Sequence, residues 1–171
     1  MKTTTKKSQS VNRDSRSKRT AREKLSAKLV IRRAKFSDLP AIAKMSDGVR
    51  EIENYPGQKM KANDFAHFVG SKDAFMLVAA AEKEVVGYIT VYKSYNYLYL
   101  PYAVVRKDWR RHGVGTALLN EVEALAKKEK VEYILMSVYD YNSSVHKLLK
   151  SRGYVSSKKL VQYSKIITGK K

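Results

Sequence analysis

The chain has 171 residues, 43% of them apolar, which is enough for one buried core and short for two. It holds no cysteine, which excludes disulfides, thiolate metal sites and a cysteine nucleophile. A formal charge of +19 favours polyanionic partners such as nucleic acid or phosphorylated cofactors, without separating a nucleic-acid-binding role from an enzyme with a basic surface.

Residues 1–28 are rich in Lys, Arg, Ser and Thr and offer almost nothing apolar to bury. A basic arm, disordered or weakly helical, is therefore expected ahead of a single domain over residues 29–171. Lys2, Lys6, Lys7, Arg13, Arg16, Lys18, Arg19, Arg22 and Lys24 charge that arm. No apolar run approaches the roughly 20 residues that span a bilayer, and the N-terminus lacks the apolar segment of a secretory signal. A cytoplasmic protein without membrane contact is the expectation.

The domain opens with a strand at Leu29-Val30-Ile31. A helix should follow, with Ser37 as its cap, Pro40 in its first turn, and Ile42, Met45, Val49 and Ile52 near one face. Asn54 to Lys61 reads as a loop, and Asp64 to Val69 as a short helix. The runs Phe75–Ala81 and Val85–Tyr92 flank the charged turn Glu82-Lys83-Glu84 and predict a hairpin. Tyr97 to Val105 is the next strand, with an irregularity near Pro101, which has no N–H for a ladder. A helix from Val114 to Lys130 carries Leu118, Val122 and Leu125 on one face. Tyr133 to Val138 predicts another strand, and Asn142-Ser143-Ser144 caps a helix that Gly153 stops. Tyr154-Val155 and Leu160–Ile167 close the chain as strand-like segments.

Between the strand ending at Val105 and the helix that follows lies Trp109-Arg110-Arg111-His112-Gly113-Val114-Gly115-Thr116. A helix N-terminus there offers unpaired amides to a phosphate. Gly113 and Gly115 let the backbone approach an anion, and Arg110 and Arg111 add charge. A dinucleotide loop needs a third glycine in its own spacing, and a P-loop needs Lys-Ser or Lys-Thr after the glycines; neither is present.

The stretch Val105 to Leu119 closely resembles the signature of the GNAT superfamily of acetyltransferases, whose core is Arg or Gln, two residues, Gly, one residue, then Gly or Ala. The resemblance extends to Asn142 after the next strand and to Gly153-Tyr154 at the end of the following helix, and covers about Leu29 to Ile167. It implies an α/β (α+β) fold with a central twisted mixed sheet, flanked by helices and splayed between the strands ending near Val105 and Val138. It also implies acetyl-CoA as co-substrate and an amine of a protein or small molecule as acceptor, with direct transfer in a ternary complex. Arg110, Arg111, His112, Gly113, Val114, Gly115 and Thr116 should then wrap the pyrophosphate, mainly through backbone amides. Val104 and Val105 should pair with the pantetheine arm through their main chain, and Asn142 should contact the same arm.

Two positions depart from the family pattern. Leu149 stands where members often have a tyrosine that protonates the departing thiolate, and Tyr97–Val105 holds no carboxylate where many carry a glutamate base. Tyr139 and Tyr141 are candidates for the vacant acid, against packing and strand propensity as the plainer reading of any single tyrosine. Glu51, Glu53 and Asp64 fall where the family builds acceptor specificity, against plain surface charge. Trp109 reads as packing ahead of stacking on adenine. No histidine pair has metal-ligand spacing, so no metal is expected.

A second function class remains: a nucleic-acid-associated basic module using the arm, or a CoA-binding regulator that keeps the fold. Phosphate contacts by the arm predict salt-sensitive, sequence-tolerant binding. A homodimer is left open.

Overall fold

The computed structural model describes residues 28–53, 58–157, 163 and 165. The expected arm, the Pro56-Gly57 turn and most of the Leu160–Ile167 segment lie outside the described residues.

The predicted strands form one mixed sheet. β1 (Leu29–Arg33) pairs antiparallel with β2 (Ala74–Ala81), which forms a hairpin with β3 (Glu84–Lys93). β3 pairs antiparallel with both β4 (Tyr97–Leu100) and β5 (Ala103–Val105), and β4 pairs parallel with β6 (Tyr133–Met136). Period-2 alternation sorts β2 cleanly. Phe75, Leu77 and Ala79 face a core built with α2 (Val114–Lys128) and α3 (Ser143–Ser151). Met76 and Val78 face a second core, built with α1 (Leu39–Ser46) and the 3-10 turns Arg50–Ile52 and Ala62–Phe68. Seven of the eight β2 residues are buried, the run expected of a strand covered on both faces. On the α1 face, Tyr88 is fully buried and shares a 2.7 Å hydrogen bond with Ser46, whose hydroxyl also bonds the Ile42 carbonyl.

The first helix differs from the sequence expectation at both ends. Ser37 lies inside a 3-10 turn, Phe36–Asp38, and α1 starts at Leu39 without a side-chain cap. Asp38 instead accepts the Lys35 amide at 2.8 Å and forms a forked pair with Arg32. At the other end α1 stops at Ser46, and Gly48 at φ +68° turns the chain. Ile52 is nevertheless 3% exposed, so the apolar spacing reported burial correctly and continuity wrongly. Two further corrections concern strands. β6 ends at Met136 because its partner β4 ends opposite it at Leu100, leaving Ser137 and Val138 no ladder there. Tyr154-Val155 is irregular: the Tyr154 amide closes α3 on the Leu149 carbonyl, and its phenol donates to Glu123 at 3.2 Å.

Among the described residues, no helix is long and apolar enough to cross a membrane.

Candidate cofactor and acceptor site

The sheet opens where Pro101 interrupts the strand running from Tyr97 to Val105. Over Tyr97–Leu100 the strand pairs on both sides, with β3 and with β6. Beyond the proline, β5 stays with β3 while the chain after Met136 turns away toward Tyr139. Thr90 holds the break. Its amide donates to the Tyr102 carbonyl at 2.8 Å, and its hydroxyl accepts the Tyr102 amide at 2.9 Å, replacing a ladder bond with a side chain. Thr90 is fully buried, so its hydroxyl has no water to fall back on.

Strand parity decides which main-chain groups face this opening. The bonds of Thr90 with Tyr102 and of the Arg106 amide with the Val86 carbonyl fix the hydrogen-bonded pairs, and Val104 opposite Tyr88 is one of them. The polar groups of Val104 are thus directed into the sheet, which corrects the expectation that they serve a ligand. Ala103 and Val105 present theirs to the opening, and the Val105 carbonyl already accepts Arg110 Nε at 3.2 Å.

The glycine loop lies at one end of the opening. Trp109 is 2% exposed and belongs to the α2-side core, so packing is its role. After it Arg111 at φ +65° and Gly113 at φ +79° bend the chain into α2. The Gly113 carbonyl accepts the Ala117 amide, and the amides of Val114, Gly115 and Thr116 open the helix with no partner inside it. Among the described residues, nothing beyond its own chain neighbours comes within 4 Å of a Cβ built on Gly113, which leaves room beside the loop for a ligand. His112 donates Nδ1–H to the Arg110 carbonyl at 2.7 Å, which fixes its ring and leaves Nε2 available. Arg110 and Arg111 are exposed. Free amides, a positive helix end and two exposed guanidinium groups make a donor set suited to a pyrophosphate.

Gly87 sets how close α2 comes. A Cβ there would lie 2.8 Å from Val114 Cγ1 and 3.2 Å from the Val104 carbonyl. The missing side chain seats the first residue of α2 directly on β3.

The far wall is the segment from β6 to α3. Asn142 caps α3, its Oδ1 accepting the Val145 amide at 3.4 Å, so its side-chain N–H groups are what it can offer a ligand. Tyr139 and Tyr141 stack with centroids 5.3 Å apart, and both are exposed. His146 Nε2 donates to the Tyr139 carbonyl at 3.0 Å and ties this loop to α3. Partial desolvation raises the Tyr141 phenol above its ordinary value, and the nearby Glu51 charge raises it further. Leu149 is buried in the α2-side core, away from any role as an acid.

Sequence reasoning missed Thr90, Ala103 and Gly87. A glycine inside a strand signals close approach by something, and that signal was present at Gly87. Among the described residues, no three His, Asp or Glu side chains converge as metal ligands.

Comparison with known proteins accords with this geometry. A possible acetyltransferase from Clostridium difficile 630 superposes with a TM-score of 0.67 at 18% identity, covering 82% of this chain and 99% of that one. AAC(6')-Iy, solved with a bisubstrate analogue of CoA and acetylneamine, gives 0.66 at 15% identity over 82% and 99%. The ribosomal-protein-S18-alanine N-acetyltransferase from Escherichia coli gives 0.65 at 18% identity over 77% and 80%. At these identities the likeness concerns the fold. No curated protein sequence matches the chain. The profile of the acetyltransferase (GNAT) family matches residues 42–154, from within the first helix through the opening and the glycine loop to the end of α3. The chain belongs to the acetyltransferase (GNAT) family, and its reaction is the transfer of acetyl from acetyl-CoA to an amine.

Proposed function

We propose that acetyl-CoA lies in the opening between β5 and the β6–α3 segment. Its pyrophosphate would meet the amides of Val114, Gly115 and Thr116 beside Gly113, with the Arg110 and Arg111 guanidinium groups adding donors. Its pantetheine arm would run along Ala103 and Val105, with Asn142 opposite. The observation that carries this reading is the coincidence, at one place, of an unpaired strand edge and the bare N-terminus of a 15-residue helix. Acetyl-CoA supplies the activated thioester; the chain positions it and the acceptor. Transfer is direct: the amine, having given its ammonium proton to water, bonds through nitrogen to the acetyl carbon, the C–S bond breaks, CoA leaves as a thiolate, and the proton shed by the new amide nitrogen passes to solvent. Holding both reactants in line accounts for much of the rate without a covalent enzyme intermediate.

We assign the phenol that protonates the thiolate to Tyr141. It stands in the segment between β6 and α3, a phenol is protonated at neutral pH, and Leu149 leaves the other position vacant. Tyr141→Phe should lower kcat by about 10²-fold, within the usual range for a positioned acid, while leaving acetyl-CoA affinity unchanged. An unchanged kcat would remove Tyr141 from the chemistry and leave the solvent as the proton source.

The acceptor is an amine, and its identity is open to a screen with three probes: a peptide beginning with alanine, a peptide with an internal lysine, and neamine. The first and third follow the substrates named for the two structural neighbours above. The basic arm supports a second reading in which nucleic acid brings the enzyme to its acceptor. Deleting residues 1–28 should then abolish salt-sensitive nucleic-acid binding and leave acetyl-CoA affinity intact. Nucleic-acid affinity that survives the deletion would refute the arm's role.

A further inference from the structure

A cavity of about 480 Å³ lies at the end of the sheet remote from the glycine loop. β3 measures the separation. At the loop end its Val86 carbonyl holds the Arg106 amide, and at the cavity end its Val91 stands opposite Phe75, roughly 16 Å further along at about 3.3 Å per residue. A volume of this size suits a small ligand.

Three phenylalanines form the apolar part of the lining. Phe68 and Phe75 are anchored in the two cores, while Phe36 on the rim is 65% exposed. The charged part is basic. The Arg33 guanidinium lies over the Phe75 ring, with Cζ 3.4 Å from its centroid. A guanidinium held against a ring face keeps N–H donors at its edge. Among the described residues, those of Arg33 meet no hydrogen-bond or salt-bridge partner. Partial burial holds the Arg33 pKa below the ordinary arginine value despite the pull of Glu129, whose carboxylate is already paired with Lys93. The Ser71 hydroxyl accepts the Asp73 and Ala74 amides at 3.3 and 3.1 Å, which leaves its own hydrogen to donate. Lys35 is the second cation of the lining, and among the described residues that line the cavity none is acidic.

We propose that this cavity binds an organic oxyanion, a carboxylate or phosphate carried on an aryl or alkyl body. The oxyanion meets the N–H edge of Arg33 and the Ser71 hydroxyl, with Lys35 adding charge, and the apolar body lies against Phe36 and Phe68. An arginine already seated on a ring loses little freedom on pairing with the anion. The site is separate from the acetyl-CoA opening, so the two ligands bind independently.

The test follows backbone amide shifts by NMR on the full chain, with and without saturating CoA. The probes are phenylacetate and phenyl phosphate, and the controls are acetate, inorganic phosphate and benzyl alcohol. At least one aryl anion should shift Ala34, Gly70 and Ser71 saturably and bind about tenfold tighter than any control, whether or not CoA is present; the tighter of the two identifies the head group. Arg33→Met, which keeps an apolar chain over Phe75, should weaken that binding about tenfold, the usual effect of losing a charged hydrogen bond. Phe36→Ala removes an exposed ring without opening either core and should weaken it severalfold. No saturable shift at the three residues overturns the proposal. So does affinity no greater than that of the matching control anion, which would mark charge alone, or affinity unchanged in Arg33→Met. Competition with CoA also overturns it, because the probes would then sit at the glycine loop.

Discussion

Replacing Gly87 with alanine probes how the fold positions the phosphate end of the site. The new Cβ would lie 2.8 Å from Val114 Cγ1, roughly 0.6 Å inside the 3.4 Å at which ordinary contact begins. Val114 cannot swing aside, because a β-branched residue in a helix is held to one χ1 rotamer. The second near atom, the Val104 carbonyl at 3.2 Å, belongs to backbone held by β3. Relief must come from α2 itself, whose first turn carries the amides proposed for the pyrophosphate. Overpacking of this kind costs about 1–3 kcal/mol. For a chain of this size each kcal/mol lowers Tm by about 2–4 °C. Differential scanning fluorimetry should therefore show a fall of several degrees, and calorimetry an acetyl-CoA affinity about tenfold weaker. The companion variant is Gly115→Ala, whose Cβ meets only Leu148 Cδ2 at an ordinary 3.6 Å. Removing a helix glycine should raise stability by about 0.5–1 kcal/mol while crowding the same ligand, so its Tm should rise as its affinity falls. Wild-type Tm and affinity in Gly87→Ala would refute the argument that this glycine seats α2.

Three further outcomes follow from particular bonds. Thr90→Val keeps the shape but removes the side-chain acceptor of the part-buried Tyr102 amide, so chemical denaturation should report a loss of about 1 kcal/mol. Gly113→Val, at φ +79° with open space around it, should cost about 1–2 kcal/mol of backbone strain and a larger share of acetyl-CoA affinity. In acid, the hydrogen bonds of Arg32 to Asp38 and of Arg152 to Glu123 hold both carboxyls below their ordinary 3.8 and 4.5. A depressed carboxyl stabilises the fold above its unfolded value and loses that contribution as pH falls through the folded one. Stability should therefore decline below about pH 4.5, and Asp38→Asn should flatten part of that decline; an identical pH profile in the variant would deny the pair its role.

What the sequence revealed, and what it hid, divides along physical lines. Signals confined to one residue and its neighbours were readable: Pro101 has no N–H, and the ladder breaks there; Asn142 caps α3; Gly153, at φ +83°, ends it. The turn at Gly113 into a helix starting at Val114 was readable for the same reason, since a left-handed glycine before an amphipathic run is a local signal. The orientation of Val104 and Val105 was not, because it depends on register. That register is set by the pairing of β5 with β3, through the bonds of Thr90 with Tyr102 and of the Arg106 amide with the Val86 carbonyl. Thr90 looks like any strand threonine until Tyr102 is brought beside it. Among Glu51, Glu53 and Asp64, by contrast, Asp64 is occupied by a local bond, the amide of Lys61 three residues earlier. The end of α1 was misread because apolar spacing continues through Val49 and Ile52 while Gly48 turns the backbone.

The central claim is that one opening in the sheet binds acetyl-CoA. Its most direct test is calorimetric titration of the full chain with acetyl-CoA at moderate salt, with tripolyphosphate as a control for charge and Gly113→Val as a control for place. One saturable site that prefers acetyl-CoA to tripolyphosphate and weakens sharply in the variant is the predicted result. Equal binding of both anions, or undiminished acetyl-CoA binding in the variant, would contradict it.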